Sequence, residues 1–159
     1  MSRTATCDRN TKETQIHIEL NIDGTGQYNI DTGVGFFDHM LEGFARHGLF
    51  DLTVKVKGDT QVDAHHTVED TGIVLGKAFL SALGDKAGIA RFGYFILPMD
   101  DALVLASLDF SGRMYFDFEA DLKAERLGTM ETEVVREFFM GLAGGVGMNL
   151  HIRQMAGEN

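Results

Sequence analysis

The sequence has 159 residues, enough for one domain with its own core, and its 44% hydrophobic and 24% charged content is that of an ordinary soluble globular protein. The formal net charge of −10 disfavours nucleic acid as a partner, since phosphate contacts need a basic face, but it leaves room for a small anionic substrate held by a few cations. No apolar run reaches the roughly 18 residues of a membrane span, Met1–Asn10 lacks the apolar stretch of a signal peptide, and the lone Cys7 forbids an intrachain disulfide; a cytoplasmic protein is expected.

Ile16, Ile18, Leu20 and Ile22 alternate with polar residues, which predicts a half-buried strand. Asp23-Gly24-Thr25-Gly26 signals a turn, with a short strand near Gln27–Ile30 after it. Phe36, Phe37, Met40, Leu41 and Phe44 recur at helical spacing, and Gly48 is placed to cap that helix. Leu52, Val54 and Val56 predict a strand ending at Gly58. A helix is expected from about Ala64 to Leu83, stopped by Gly84. Strands are expected around Arg91–Leu97, Ala102–Phe110 and Arg113–Phe118, a helix from Glu131 to about Gly145, and a last strand beginning at Leu150. Strands and helices do not alternate strictly, so the fold class is α+β, antiparallel sheets with helices on one face. With 19 glycines, one proline and no Ser/Pro-rich boundary, the chain reads as a single unit, 1–159.

A weak internal repeat divides that unit into halves of about 1–87 and 88–159. Asp38–Thr60 resembles Arg136–Asn159: His39-Met40-Leu41 aligns with Glu137-Phe138-Phe139, and Gly58-Asp59 with Gly157-Glu158. The first unit is followed by His65-His66. A second His-His helix is therefore expected beyond Asn159.

The strongest chemical signal is Asp63-Ala64-His65-His66-Thr67-Val68-Glu69-Asp70 at a predicted helix start. Adjacent helical residues differ in direction by about 100°, so His65 and His66 do not chelate one ion easily. Glu69 lies four and three residues beyond them and shares a face with either. That pattern suggests two metal sites with imidazole and carboxylate ligands, suited to Mn, Fe, Zn or Ni. The plainer alternative is a histidine pair on a polar helix start. A zinc-protease reading fails because the order His-Glu-x-x-His is absent. His39 and His47 lie eight residues apart, on one face of the preceding helix. His47 also suits a helix C-terminus electrostatically, and His39 also suits a core position. Arg91 and Arg113 each stand near a glycine at a strand edge, as candidates for a phosphate clamp or for surface ion pairs.

Together these segments resemble the imidazoleglycerol-phosphate dehydratases. The resemblance runs through Thr11-Lys12-Glu13-Thr14, Leu20–Gly26, Thr32-Gly33-Val34-Gly35-Phe36-Phe37-Asp38-His39-Met40-Leu41, His47-Gly48-Leu49-Phe50-Asp51, Gly58-Asp59 and His65–Asp70. It continues through Arg91-Phe92-Gly93, Leu108–Arg113, Asn149-Leu150-His151-Ile152-Arg153 and Gly157-Glu158-Asn159, and so covers the whole chain in order. It implies a hydro-lyase of histidine biosynthesis that converts imidazoleglycerol phosphate to imidazoleacetol phosphate. It also implies a duplicated half-domain with two antiparallel four-stranded sheets packed on helices. The family assembles into homo-oligomers of about two dozen subunits with interfacial active sites, and a trimer is expected for a shortened or metal-free form.

By position, the resemblance makes His39, His65, His66, Glu69 and Glu137 ligands of manganese, two ions per subunit. Glu13 becomes a substrate-contacting acid, His47 a neighbour of the glycerol chain, and Arg91 and Arg113 phosphate binders. Position 137 is Glu where many relatives have His, and Gly43 replaces a polar residue. The family's second His-His-x-x-Glu motif and a later phosphate-contacting lysine lie outside this sequence. A metal-assisted dehydration is expected, with Glu69 or Glu13 moving protons. The alternatives are a di-metal hydrolase and a metal-free assembly module.

Overall fold

The structure, a computed structural model, describes residues 3–158. Two four-stranded sheets carry the fold. The first contains β1 (Thr4–Asn10), β2 (Thr14–Asn21), β3 (Tyr28–Asp31) and β4 (Asp51–Gly58), in the order β1-β2-β4-β3. Helix α1 (Gly35–Gly48) links β3 to β4, and α2 (His65–Leu83) follows β4. The second sheet contains β5 (Phe92–Met99), β6 (Ala102–Asp109), β7 (Tyr115–Glu119) and β10 (Asn149–Ala156), in the order β5-β6-β10-β7. A two-residue pair, β8 (Arg126–Leu127) with β9 (Met130–Glu131), precedes α3 (Val134–Val146). Both sheets thus share one strand order, and in each a helix crosses over to the third strand in that order.

The α+β class and the two four-stranded sheets agree with expectation. The ladders are antiparallel except one in each sheet: β3 runs parallel to β4, and β7 parallel to β10. Each parallel pair is the one bridged by a helix, since a crossover returns the chain in the same direction.

The period-2 pattern of β2 puts Ile16, Ile18 and Leu20 on the buried face, beside Leu52 and Val54 of β4. Helix α2 lays Val68, Leu75 and Ala78 among these side chains, while Leu142, Ala143 and Val146 of α3 join Leu150 and Ile152. Strand β1 was not expected, because Thr4–Asn10 is mostly polar and offers only the small apolar residues Ala5 and Cys7. It forms because its backbone pairs fully with β2 and its alternate residues are only partly covered.

Glycine sets the spacing of α2 and α3. A Cβ on Gly72 would lie 2.4 Å from the Phe138 carbonyl oxygen, and one on Gly76 would lie 2.5 Å from that of Leu142. From the other helix, a Cβ on Gly145 would lie 2.5 Å from the Ile73 carbonyl oxygen. Backbone therefore packs directly on backbone where side chains normally hold helices 8–10 Å apart.

Several boundaries moved, among them the start of β7 at Tyr115 rather than Arg113, and two of the shifts have a local cause. Gly48 is the last residue of α1, and Leu49 carries the left-handed cap conformation at φ 59°. Gly48 is needed for space instead: a Cβ there would lie 2.5 Å from the Phe50 ring. Helix α3 begins at Val134 rather than Glu131, because Glu131 is held in β9 and the Thr132 hydroxyl donates to the Ala124 carbonyl at 2.6 Å.

Strand β5 is the outlier. It is an edge strand, yet its side chains are apolar on both faces. Phe95, Leu97 and Met99 pair in register with β6 residues on the face that buries Leu150 and Ile152, but remain 65%, 59% and 68% exposed. On the opposite face Phe92 and Tyr94 are also exposed. Pro98, the one proline of the sequence, sits on this edge strand, the place in a sheet where a missing N–H is tolerated.

Candidate functional site

The first turn of α2 brings two imidazole–carboxylate pairs to the surface. The His65 Nε2 lies 3.3 Å from a Glu69 carboxylate oxygen, one helical turn on. The His66 Nδ1 lies 3.0 Å from the Asp59 carboxylate, which reaches back from the loop after β4. The two rings are edge-on, with centroids 6.1 Å apart. Their pairs point to different sides of the helix, as the 100° step between neighbours requires. Asp63 accepts the His65 backbone N–H at 2.8 Å and fixes the entry of the chain into the helix.

The two histidines present different nitrogens. With Nδ1 of His66 held by Asp59, Nε2 is the nitrogen left for another partner, the arrangement in which a carboxylate orients a metal-binding imidazole. The Asp59 bond also raises the His66 pKa, opposed by desolvation and supported by the charges of Asp59, Glu13 and Asp63. Glu13, in the exposed turn before β2, is thus close enough to His66 to act on its charge.

The floor beneath this turn is tightly built. A Cβ on Gly58 would lie 2.0 Å from the Thr67 hydroxyl oxygen, so only glycine lets the end of β4 pass α2 here. Behind it, the Asp70 carboxylate accepts the Thr14 hydroxyl at 2.6 Å and pairs with Arg9 at 2.8 Å. This buried bridge ties α2 to β1 and to the start of β2.

The other predicted residues are placed elsewhere. His39 and His47 are exposed on α1, and Glu137 is half-buried on α3, 3.3 Å from the Arg136 guanidinium. Among the described residues no three His, Cys, Asp or Glu side chains converge on a common metal position. Arg91 and Arg113 stand at one end of the second sheet. Arg91 binds Asp109 through two hydrogen bonds of 2.6 and 3.0 Å, so it is an ion-paired arginine as well as a phosphate candidate. Arg113 is exposed, in a turn where the Ser111 hydroxyl accepts its N–H at 3.2 Å. Surface cavities of about 330 and 300 Å³ on the first sheet contain none of these residues.

Asp59 is the site residue that sequence reasoning missed. Seven residues before His66 and outside the helix, it obeys no helical spacing. Its only signal was its place in the matched Gly58-Asp59 pair.

Comparison with known proteins points one way. The family model for imidazoleglycerol-phosphate dehydratase matches residues 32–159. The imidazoleglycerol-phosphate dehydratase of Lachnoclostridium phytofermentans is 60% identical over 159 residues, covering 100% of this chain and 81% of the relative. That of Acetivibrio thermocellus is 58% identical, covering 100% of this chain and 82% of the relative. The crystal structure of the Staphylococcus aureus enzyme superposes with a TM-score of 0.87 at 36% identity, covering 98% of this chain and 86% of that one. The Pyrococcus furiosus enzyme gives a TM-score of 0.83 at 37% identity, covering 96% and 81%. These relatives are dehydratases, which overturns the di-metal hydrolase expectation. The chain belongs to the imidazoleglycerol-phosphate dehydratase family, the hydro-lyases of histidine biosynthesis.

Proposed function

We propose that the protein dehydrates imidazoleglycerol phosphate to imidazoleacetol phosphate with the help of two manganese ions. One observation carries the metal part: two separate imidazole–carboxylate pairs, His65–Glu69 and His66–Asp59, share one helix start. The donors are nitrogen and oxygen only, which suits manganese. The donor set therefore fits the ion. Each pair is only part of a shell, and His39 and Glu137 are the further ligands from this sequence. We propose that the shells close between subunits, so that the active site is interfacial. The exposed apolar edge strand β5 favours self-assembly, because such edges are normally covered.

A bound divalent ion would supply Lewis acidity to the substrate's imidazole, stabilising its deprotonated form. The residues of this chain do the rest. The hydrogen lost from the substrate carbon has no carbonyl beside it, so the electron-rich deprotonated ring must first expel the hydroxyl from the carbon attached to it. A carboxylic acid gives the proton that makes the leaving hydroxyl water. A carboxylate then takes the hydrogen of the next carbon as the electrons of that bond return to the ring, and the resulting enol tautomerises to the ketone. Glu13 and Glu69 are the candidates, and both flank the histidine pair. His47 stands beside the glycerol chain. Arg91 and Arg113 hold the phosphate, whose binding energy orients the reacting carbons.

The test is bound manganese per chain, measured by elemental analysis after incubation with Mn²⁺ and desalting, alongside dehydration of imidazoleglycerol phosphate. About two ions per chain with turnover is the expected result. No retained metal and no turnover would sink the proposal for this chain and favour a metal-free assembly module. The determination belongs near pH 8, because a proton on the raised-pKa His66 competes with metal as the pH falls.

A further inference from the structure

Three cations meet at one end of the second sheet, and only two of them were visible as candidates in the sequence. The third is Lys86, in the segment between α2 and β5. Its backbone is left-handed, φ 62°, an uncommon and mildly strained state for a lysine. Its N–H is tied to the Leu83 carbonyl at 2.9 Å. From there the side chain crosses to the residue just after β6, where Nζ donates to the Phe110 carbonyl at 3.4 Å. That is a long bond, and it leaves two ammonium protons for another acceptor.

The same ammonium overlooks the Ser111-Gly112-Arg113 turn. A Cβ built on Gly112, itself at φ 81°, would lie 3.9 Å from Lys86 Nζ. The Ser111 hydroxyl bridges the Arg113 N–H and carbonyl, at 3.2 and 3.1 Å, and Asn149 donates to that carbonyl at 2.7 Å. The turn is therefore held firmly beneath the lysine. Asp109, next to it, has its carboxyl pulled below the usual range. Its bond to Arg91 is the main cause, and the charges of Arg91, Arg113 and Lys86 add to it. Among the described residues Arg91 has Asp109 as its ion-pair partner, whereas Lys86 and Arg113 form no ion pair. Against the three cations stand Asp109, which is paired with Arg91, and Asp85, whose carboxylate accepts the Ala87 N–H, so the Lys86 ammonium and the Arg113 guanidinium are left without a paired carboxylate among the described residues.

Resting on the phosphate end assigned above to Arg91 and Arg113, we infer that Lys86 is a third phosphate-binding residue. Its ammonium closes over the Ser111–Arg113 turn and takes a phosphate oxygen as a point charge, while an arginine fork takes the others. The strained backbone at Lys86 is then the conformation that aims the side chain at the turn.

The probe is inorganic phosphate, titrated into the protein while the amide NMR shifts of Ser111, Gly112 and Arg113 are followed. The variants are Lys86→Met, Lys86→Arg and, as a reference for the clamp itself, Arg113→Ala. Lys86→Met should weaken phosphate binding about fivefold or more and reduce its salt dependence, the size expected for one charge-assisted contact. Lys86→Arg should recover most of the affinity. Lys86→Gly, which relieves the backbone, should keep Tm or raise it yet bind phosphate as weakly as Lys86→Met. If Arg113→Ala loses affinity while Lys86→Met keeps it, the role of Lys86 is overturned and the arginine site survives. If the wild-type turn does not respond to phosphate, the arginine assignment and the lysine inference both fall.

Discussion

At the scale of single residues, two carboxylates near α2 do opposite work. Asp59, its own side chain only 18% exposed, orients the exposed His66 ring. Asp70 is turned inward and joins three elements through Thr14 and Arg9. Removing Asp70 would leave the Arg9 guanidinium, whose Nε already lacks a hydrogen-bond partner, without its counter-charge. Breaking a fully buried pair costs roughly 3–5 kcal/mol. Arg9 keeps 32% of its side chain exposed, so solvent screens part of that. Asp70→Ala should therefore lower the unfolding free energy by about 2–3 kcal/mol in urea denaturation, with Asp70→Asn losing less. A loss below about 0.5 kcal/mol would mean the bridge is incidental.

At the scale of elements, the α2–α3 contact decides how the two sheets are joined. Helix propensity and packing make opposite predictions at Gly76. Alanine is the better helix former by about 1 kcal/mol, so propensity alone predicts that Gly76→Ala stabilises. The new Cβ would meet the Leu142 carbonyl oxygen at 2.5 Å and the Gly145 Cα at 2.8 Å. Both are backbone atoms that cannot swing aside, and overpacking typically costs about 1–3 kcal/mol. The steric term should win, giving a net loss of about 1–2 kcal/mol in the same urea experiment with an unchanged m-value. A stabilised Gly76→Ala would show that the helices can separate freely. The paired glycines, 72 with 76 and 141 with 145, were present in the sequence as two four-residue spacings. Nothing in a one-dimensional pattern said that they face each other.

At the scale of the whole molecule, the two sheets repeat one topology, but their coverage differs. In the first sheet α2 packs across β1 and β2. In the second, the corresponding strands β5 and β6 leave Phe95, Leu97 and Met99 open on the helix side. An apolar edge strand exposed on both faces is a pairing surface for other chains. If the proposed self-assembly uses this strand, charge at its most exposed outward positions, Phe92→Lys with Tyr94→Lys, should shift the sedimentation coefficient towards the monomer while leaving Tm nearly unchanged. An unaltered assembly size would remove β5 from the subunit contact.

The sequence by itself determined what depends on local spacing. Alternation in Ile16–Leu20 and Leu52–Val56, and the helical recurrence before Gly48 and Gly84, located most strands and the helices. The His65-His66 and Glu69 arrangement was legible because a helix converts sequence distance into direction. Only the tertiary structure decided what depends on distant segments meeting. Strand β1 alternates only two small apolar residues, Ala5 and Cys7, with polar ones, too weak a pattern to stand alone, and it exists because β2 offers it a ladder. The parallel edge strands follow from where the crossover helices return. Asp59 reaches His66, and Lys86 reaches Phe110, through loops whose course no periodicity encodes. The cap of α1 fell to Leu49, and Gly48 is required instead because the Phe50 ring occupies the space where a Cβ would stand, a matter of packing that spacing along the chain cannot express.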